Sequence, residues 1–488
     1  MIWDKGNEQG LQGMTEALAP DICVIGGGAG GLSVAAAAAA FGVPTVLIER
    51  EKLGGDCLHT GCIPSKALLA AARRAETMRS AGPFGVDGPG AAVNFGKVHE
   101  RVHAVLASVA RADSAERFSG LGVRVIRDHA RFKDRSTVLA GDVEVSARRF
   151  VIATGSLPAI PQIPGLDSGP FLTTQNIFDL KQRPEHLLVI GAGSSGLELA
   201  QAFRRLGSSV TVLEKATPLD QEDPECVAVV IDRLEREGVV IRTGVTITAI
   251  THAGGTVTAA TAAAGAEQTI TGSHLLITTG RKPAIDGLDL DAAGIRSDAS
   301  GIRVNKKLKT SNRRVYAIGD CAAGQPGLSH AAAYHAGLVI RNALFRLPVR
   351  VDVDRIPRVI FTDPELAHVG LTEEQSRIRR IKIRIARWPY NDNDRAQTDG
   401  ETCGHIKVIT NDKGKIIGAT IVGAQAGELI STWCLALARG LNIRAFAELI
   451  LPYPTLSELG KRAAIDYLIP GLTTGWVRRI IKWVRFFG

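Results

Sequence analysis

The feature that most constrains this chain of 488 residues is one glycine pattern that occurs twice. "GGGAGGLSVAAAAAAFGVPTVLIE" (26–49) and "GAGSSGLELAQAFRRLGSSVTVLE" (191–214) align without a gap. In each copy a glycine-rich turn follows an apolar strand and opens a helix, and a glutamate ends the next strand. Glycines in this pattern let pyrophosphate approach a helix N-terminus, and the acid accepts from ribose hydroxyls. The sequence therefore predicts two nucleotide-binding units, with cofactor contacts at Gly26, Gly28, Gly31 and Glu49, and at Gly191, Gly193, Gly196 and Glu214.

The order of apolar runs predicts the fold class. From "DICVIGGG" to "VYAIGD", short β-rich runs bounded by glycine alternate with helical stretches, which is typical of doubly wound parallel sheets. After about residue 352 strands are grouped together and helices follow from 427 to 468. We predict an α/β fold with two Rossmann-like dinucleotide-binding domains and a C-terminal α+β domain. Within the last domain, "SRIRRIKIRIAR" (376–387) alternates basic residues and isoleucine, which predicts a strand with one solvated face.

Composition limits the class of protein. A net charge of +9 favours a basic surface with anionic cofactors over nucleic-acid binding. Seven unevenly spaced cysteines favour a reducing, cytoplasmic location over a disulfide framework. The first residues lack the pattern of a signal peptide, and no window of about 18 uninterrupted apolar residues predicts a spanning helix. Residues 1–19 are predicted to be an N-terminal extension, and Met14 is an alternative translation start.

The last residues, 471–488, form a basic amphipathic pattern. In "GWVRRIIKWVRFFG" apolar residues recur at helical spacing and arginine and lysine lie mostly opposite. Such a helix can lie on an anionic membrane surface at the inner face of a membrane. Packing on its own domain or on a dimer partner is an equally good interpretation of the pattern.

The nature of the second acid favours one nicotinamide nucleotide. A carboxylate at Glu214 would repel the 2'-phosphate of NADPH, and the following residues offer only Lys215 in place of an arginine clamp. We therefore expect NADH, with NADPH disfavoured.

The segment "GGDCLHTGCIPSK" (54–66) holds Cys57 and Cys62. In a regular helix, cysteines five apart would have Cα atoms roughly 8.5 Å apart, which is too far for a disulfide, so a bridge needs an irregular turn at Gly61. Pro64 fits the first turn of a following helix, and the N-terminus of that helix favours a thiolate at Cys62. A structural disulfide and a zinc site are possible, but the loop is small and a second ligand pair is lacking, so no metal site is predicted. A redox-active pair is favoured.

These motifs resemble the class I pyridine nucleotide-disulfide oxidoreductases, which include dihydrolipoyl dehydrogenase, glutathione reductase and mercuric reductase. The resemblance covers about residues 20–470 and includes "ATGSLPAIPQIPG" from Ala153, "TTGRKP" from Thr278, "YAIGD" ending at Asp320, and "PTLSE" near the end. It implies an FAD domain over 20–157 and 284–350, an NAD(P)H domain over 158–283, a dimerisation domain over 351–470 and a homodimer. The cycle it implies runs from NADH through FAD to the Cys57–Cys62 disulfide and on to an acceptor.

The same resemblance implies residue roles. Cys57 would be the interchange thiol that meets the acceptor, and Cys62 the charge-transfer thiol against the flavin. Lys66 and Glu198 would form an ion pair near flavin N5, so that Lys66 also contacts the cofactor. Further cofactor contacts are expected at Glu49, Ala130, Thr154, Gly155, Gly280 and Asp320.

The C-terminal motif departs from that of the disulfide reductases. Their "HPTxSE" supplies a histidine base oriented by the glutamate, whereas this chain has "YPTLSE", with Tyr453 and Glu458. Tyrosine is a poor proton acceptor near pH 7. Tyrosine at this place resembles mercuric reductase, but the vicinal C-terminal cysteines and the N-terminal CxxC domain of that branch are lacking in this sequence, whose last cysteine is Cys434.

The sequence thus predicts an FAD-dependent, NADH-preferring oxidoreductase whose dithiol reduces something other than a glutathione-like disulfide. The candidate acceptors are a soft metal ion such as Hg(II), a quinone or membrane-associated acceptor, or a small disulfide reduced slowly. The alternatives are a dihydrolipoyl dehydrogenase-like enzyme without the usual base and a flavin-bound membrane-peripheral protein. Asp56 and His59 stand where Thr and Asn are common in relatives, and their opposite effects on the thiols depend on geometry.

Overall fold

The computed structural model describes residues 16–88, 90, 92–263, 266–472 and 475–487. The first fifteen residues of the predicted N-terminal extension lie outside these ranges. The chain divides into two compact units. One comprises the described residues up to Pro64 together with His103–Pro158 and Arg281–Val351, and the other comprises Ser65–Val102, Ala159–Gly280 and the described residues from Asp352.

The first unit is built on a five-stranded parallel sheet that contains the first glycine pattern. Its strands lie in the order Val315–Ala317, Arg149–Ile152, Ile22–Ile25, Thr45–Ile48 and Val123–Ile126. Alternate residues of the central strand enter different hydrophobic clusters: Cys23 and Ile25 lie in one, and Ile22 and Val24 in the other. The sheet is therefore buried on both faces, as its continuous apolar runs require.

Smaller elements complete this unit. Glu16–Leu18 extends a sheet formed with Val143–Val145, Val138–Ala140 and Ala130–Phe132. Ser156–Pro158 pairs with Arg281–Pro283, and Ser297–Asp298 with Gly301–Ile302. The helices that belong wholly to this unit are Ala29–Ala40, Gly55–His59, Ala115–Gly120 and Ser329–Ala343, while Cys62–Arg79 and Phe95–Ala110 each have residues in both units.

The second unit contains the second glycine pattern. Its four-stranded parallel sheet has the order Val240–Arg242, Ser209–Leu213, His186–Ile190 and His274–Ile277. An antiparallel sheet of Thr246–Ala253, Thr256–Ala263 and Ala266–Gly272 packs beside it through a shared apolar cluster. Helix Ser194–Arg205 follows strand His186–Ile190 along the chain, and helix Pro224–Arg236 follows strand Ser209–Leu213.

The C-terminal part of this unit is a five-stranded antiparallel sheet with helices. The strand order is Arg358–Ile360, Glu365–Gly370, Ile416–Gly423, His405–Asn411 and Ile383–Pro389. One apolar cluster joins the sheet to the helices, with Trp433 stacked on Phe446. The helices are Glu373–Ile378, Asp394–Asp399, Ala426–Arg439, Arg444–Ala447, Glu458–Leu472 and Gly475–Val484. The predicted fold class, with two dinucleotide-binding sheets and a C-terminal α+β domain, is confirmed.

The strand predicted over 376–387 is wrong in its first half. Glu373–Ile378 is a helix, because Thr372 and Gln375 form a reciprocal capping box at its N-terminus. Arg380 then adopts a left-handed backbone conformation with φ of 54°, and the strand begins at Ile383. A local cap therefore overrode the alternating pattern. Among the described residues, no helix is long and apolar enough to cross a membrane.

Candidate active site

The two glycine patterns fold into near-identical turns. Gly26 and Gly191 have φ of 104° and 103°, a backbone conformation that favours glycine. A Cβ on Gly26 would lie 2.5 Å from the carbonyl oxygen of Ala153, and one on Gly191 would lie 2.6 Å from that of Thr278. These glycines are therefore fixed by the close crossing of the next parallel strand.

The remaining glycines have two further functions. A Cβ on Gly31 would overlap the carbonyl of Gly26, so this glycine lets the helix pack against the turn. The middle glycines are different, because a Cβ on Gly28 would meet its nearest neighbour only at 3.9 Å and one on Gly193 would meet nothing within 4 Å. Both helices also begin without a side-chain cap. Each turn thus leaves free space and backbone N–H groups where a pyrophosphate fits.

The acid of each pattern reaches back to its own turn. Glu49 accepts from the backbone N–H of Gly27 at 2.6 Å, and Glu214 accepts from that of Ala192 at 2.7 Å. The repeat found in the sequence is therefore also a repeat of hydrogen bonds.

A groove beside the first turn is lined by residues predicted to contact FAD: Gly26, Glu49, Ala130 and Thr154. The Oγ1 atom of Thr154 is buried without a hydrogen-bond partner, so a polar ligand group would satisfy it. Gly155 has φ of 70° and open space around it. These residues would hold the nucleotide, with the ribose at Glu49.

Asp320 belongs to a polar chain at the end of the central sheet. It lies in the turn Gly319–Cys321 and accepts from the hydroxyl of Ser156 at 2.6 Å. Arg281 donates to Ser156 through Nε at 2.7 Å and through Nη2 to its carbonyl at 2.8 Å. Arg281 lies in the quoted "TTGRKP" motif, but its contacts were not predicted. Gly280, the predicted cofactor contact before it, has φ of 123°.

The dithiol segment is a broken helix. Thr60 caps the C-terminus of helix Gly55–His59. The next helix begins at Cys62, with Pro64 in its first turn as predicted. Both cysteines are unbridged, Cys57 half-buried and Cys62 exposed. The Sγ atom of Cys62 lies 3.6 Å from the hydroxyl of Ser329, a neighbour that carried no sequence signal.

Burial and three neighbouring side chains shift the pKa of the Cys57 thiol. Hydrogen bonding to Cys62 and burial raise the pKa of the Cys57 thiol, a hydrogen bond from Ser329 lowers it, and the Asp56 carboxylate raises it further. The other departure from relatives, His59, bonds through Nε2 to the carbonyl of Leu53 at 2.8 Å. Of the two opposing effects predicted for these residues, that of Asp56 acts on the thiol.

Lys66 and Glu198 form the predicted ion pair. Lys66 Nζ donates to Glu198 Oε2 at 2.7 Å, and the glutamate side chain is only 6% exposed. Phe361 stabilises both partners, since its N–H donates to Glu198 at 2.9 Å and its ring lies 4.3 Å from the ammonium. Phe361 lies outside every motif, and only the fold brings it to this pair.

Tyr453 has an unpredicted partner. Its hydroxyl donates to Asp394 Oδ2 at 3.0 Å, and the side chain is exposed. The hydrogen bond to Asp394 and the charge of that carboxylate raise the pKa of the phenol, and Glu458 adds to the effect. Glu458 begins a helix and does not accept from Tyr453. The phenol is therefore held in its neutral form, which cannot serve as a base.

Comparison with known proteins agrees with this geometry. A family model named pyridine nucleotide-disulphide oxidoreductase matches residues 20–336, and a model of the dimerisation domain of that family matches residues 356–464. The chain belongs to the class I pyridine nucleotide-disulfide oxidoreductases. Members of this family contain FAD and use NAD(P)H, which confirms the two predicted cofactors, and the dimerisation domain supports the predicted homodimer.

The relatives of this oxidoreductase differ in the activity that their names state. It is 33% identical to the mercuric reductase of Lysinibacillus sphaericus over 450 residues, which are 92% of this chain and 82% of that relative. It is 35% identical to the dihydrolipoyl dehydrogenase of Bacillus subtilis over 454 residues, which are 91% and 95% of the two chains. A solved structure of the Escherichia coli HOCl-induced flavoprotein disulfide reductase RclA, as a Cu(II) complex, superposes with a TM-score of 0.80 at 26% identity and covers 90% of this chain and 98% of that chain.

Proposed function

We propose that this oxidoreductase passes electrons from NADH through FAD to Cys57 and Cys62 and on to a soft metal ion. FAD supplies the two-electron exchange between the nicotinamide and the thiols. The observation that carries the choice of acceptor is Tyr453, whose neutral phenol donates to Asp394 where a disulfide reductase needs a base. Names of relatives that refer to mercury and to a copper complex support the same class of acceptor.

The chain's own residues have separable tasks in this proposal. The dithiol gives up two electrons and two protons as its disulfide re-forms, and the acceptor takes both electrons. Soft metal ions bind sulfur directly and need no proton from the enzyme, whereas a disulfide acceptor must be cleaved with proton transfer. Lys66, fixed by Glu198 and Phe361, lies one helical turn after Cys62, and its role in the proposal is to contact the cofactor.

An anaerobic titration tests the dithiol cycle, and a panel of acceptors tests which electron acceptor the enzyme prefers. Addition of one equivalent of NADH should produce a charge-transfer absorbance at wavelengths beyond the flavin band, and its absence would contradict the cycle. The panel comprises Hg(II), lipoamide, glutathione disulfide and a quinone. Hg(II) should support the fastest NADH oxidation. Faster turnover of lipoamide would instead favour the dihydrolipoyl dehydrogenase-like alternative, and faster turnover of the quinone a membrane-associated acceptor.

NADH is proposed over NADPH because of Glu214. Its carboxylate is already held by the backbone N–H groups of Ala192 and Ala216, so it lies where the 2'-phosphate of NADPH would be repelled. The value of kcat/KM should be at least about tenfold higher for NADH, which corresponds to about 1.4 kcal/mol. Glu214→Gln should reduce this preference, and an unchanged ratio would contradict the assignment.

We also propose that the C-terminal helix, Gly475–Val484, contacts an anionic lipid surface. Its large apolar side chains are exposed, with Trp476 at 63% and Trp483 at 66%. Four basic residues accompany them: Arg478, Arg479, Lys482 and Arg485. Each basic residue near an anionic membrane contributes about 1 kcal/mol, and interfacial tryptophan adds apolar binding. Charge complementarity therefore favours a lipid surface over an apolar protein groove.

Sedimentation with vesicles tests the lipid contact. The full chain should bind phosphatidylserine-containing vesicles and bind pure phosphatidylcholine vesicles weakly, and deletion of 475–488 should abolish the difference. Replacement of the four basic residues by glutamine is the matched control, since it keeps the apolar residues. Unchanged sedimentation after the deletion, or a change of oligomeric state without lipid binding, would reject the lipid contact and favour packing between protein chains.

A further inference from the structure

Asp56, which precedes the first cysteine, lies in the first turn of helix Gly55–His59, and its side chain reaches the break between the two helices of the dithiol segment. Its carboxylate Oδ1 accepts from the hydroxyl of Thr60 at 2.6 Å, and its carbonyl accepts from the N–H of the same residue at 2.9 Å. A Cβ on Gly61 would lie 3.1 Å from Asp56 Oδ2 and 3.0 Å from its carbonyl oxygen. Asp56 therefore bonds Thr60 and occupies the space that a side chain at position 61 would need.

A second contact fixes this carboxylate from outside the loop. Arg281 Nη2 lies 3.2 Å from Asp56 Oδ1, and the guanidinium also donates to the hydroxyl and carbonyl of Ser156. Ser156 in turn donates to Asp320. Isolated, half-exposed ion pairs contribute little, but a guanidinium held by several acceptors is ordered before it meets the carboxylate.

The position of these contacts matters because of the spacing of the cysteines. A continuous helix would hold cysteines five apart too far from each other for a disulfide, so the two sulfurs can join only if the helix breaks between them. The break is made by Thr60 and Gly61, and Asp56 bonds Thr60 and lies where a side chain at position 61 would be.

We propose that Asp56 is a positioning residue for the dithiol, which acts through Thr60 and Arg281 to hold the loop in the shape that lets Cys57 and Cys62 form a disulfide. The inference rests on the dithiol role given under the proposed function. It concerns the equilibrium in which Cys57 and Cys62 each lose one hydrogen atom to oxidised dithiothreitol, whose own S–S bond breaks as the protein S–S bond forms.

The test measures this equilibrium in the FAD-loaded protein over a series of ratios of oxidised to reduced dithiothreitol. The fraction of bridged protein is read by trapping free thiols with an alkylating agent and weighing the peptide that contains both cysteines. Asp56→Ala should lower the equilibrium constant for disulfide formation about tenfold, because the loop loses a charge-assisted hydrogen bond. Thr60→Val, which keeps the side-chain shape and removes the hydroxyl, should lower it by about threefold.

Two controls separate positioning from other effects. Asp56→Asn keeps an acceptor oxygen for Thr60 and should restore most of the equilibrium constant. Glu51→Ala removes an exposed carboxylate that pairs with Arg50, outside the loop, and should leave the constant unchanged. If Asp56→Ala does not fold with FAD, as judged by its flavin spectrum, Thr60→Val and Asp56→Asn still decide the question.

The possible outcomes are distinguishable. An unchanged constant in Asp56→Ala or Thr60→Val, or an equal shift in Glu51→Ala, would overturn the positioning role while the dithiol cycle stands. Failure of the wild-type protein to form the bridge at any dithiothreitol ratio would overturn the proposed function itself.

Discussion

The dithiol loop and the segment that carries Tyr453 differ in how firmly their side chains are held. In the loop, Thr60 donates a hydrogen bond to Asp56, which also forms an ion pair with Arg281, and the cysteines contact each other and Ser329. Tyr453 is 69% exposed and makes one side-chain hydrogen bond, to Asp394. The cysteine pair of the loop matches the family motif, whereas the tyrosine departs from it. An exposed side chain can be exchanged with little effect on folding, so acceptor choice can change while electron delivery is kept.

The largest effect is expected from Cys62→Ser, which removes one thiol from the firmly held dithiol loop. The variant should lose the charge-transfer absorbance after reduction with NADH, and acceptor turnover should fall about 10³-fold or more, because the disulfide cannot form. Stopped-flow spectra and steady-state rates measure both quantities. Cys434→Ser, at a half-buried cysteine of the C-terminal domain, should change neither. Turnover within about tenfold of the wild type would contradict the dithiol role of Cys62.

The next largest effect is expected from Tyr453→His, which replaces the exposed tyrosine. A histidine can accept the thiol proton near pH 7, and general acid–base catalysis contributes about 10²–10⁴-fold. Lipoamide and glutathione disulfide turnover should therefore rise by about 10²-fold, and Hg(II) turnover should not rise. Tyr453→Phe is the control and should leave disulfide turnover low. If histidine gives no gain, the missing base does not limit disulfide reduction.

A smaller effect is expected from Gly61→Ala, which tests how tightly the loop is packed. The added methyl group would lie 3.0 Å from the carbonyl oxygen of Asp56, and such overpacking costs about 1–3 kcal/mol. The free energy of unfolding, measured in urea with FAD bound, should fall by that amount. Gly82→Ala meets nothing within 4 Å and should not destabilise the protein. Equal stability of the two variants would show that the loop accommodates the added methyl group without loss of stability.

The smallest effect is expected from Asp394→Asn, which removes one charge beside the tyrosine. The carboxylate disfavours the phenolate, so its loss should lower the pKa of Tyr453 and let the phenolate form at a lower pH. Tyrosinate absorbance against pH, taken as the difference from Tyr453→Phe, measures the shift. Hg(II) turnover near neutral pH should change by no more than about twofold, as expected for an exposed charge. A rise in the pKa would contradict the assigned cause.

Several features of this protein could be read from the sequence alone, because they depend on local spacing. The two glycine patterns predicted two nucleotide turns, and the structure gives Gly26 and Gly191 the same backbone conformation. The broken helix at the dithiol and the start of the next helix at Cys62 followed from glycine and proline preferences. The strand predicted over 376–387 failed in its first half because a capping box competed with the alternating pattern.

Only the tertiary structure decided which distant residues complete the sites. Phe361 at the Lys66–Glu198 pair, Asp394 at Tyr453, and Arg281 at Asp56 lie far from their partners in the sequence. No periodicity or motif spacing encodes such contacts, since they arise where separate strands and helices are packed side by side. The sequence by itself therefore determined the fold class, the two nucleotide sites and the cysteine pair. The packing of the chain determined that Tyr453 is a neutral donor and that Asp56 is fixed beside the dithiol, because a hydrogen bond to Asp394 sets the first and an ion pair with Arg281 the second.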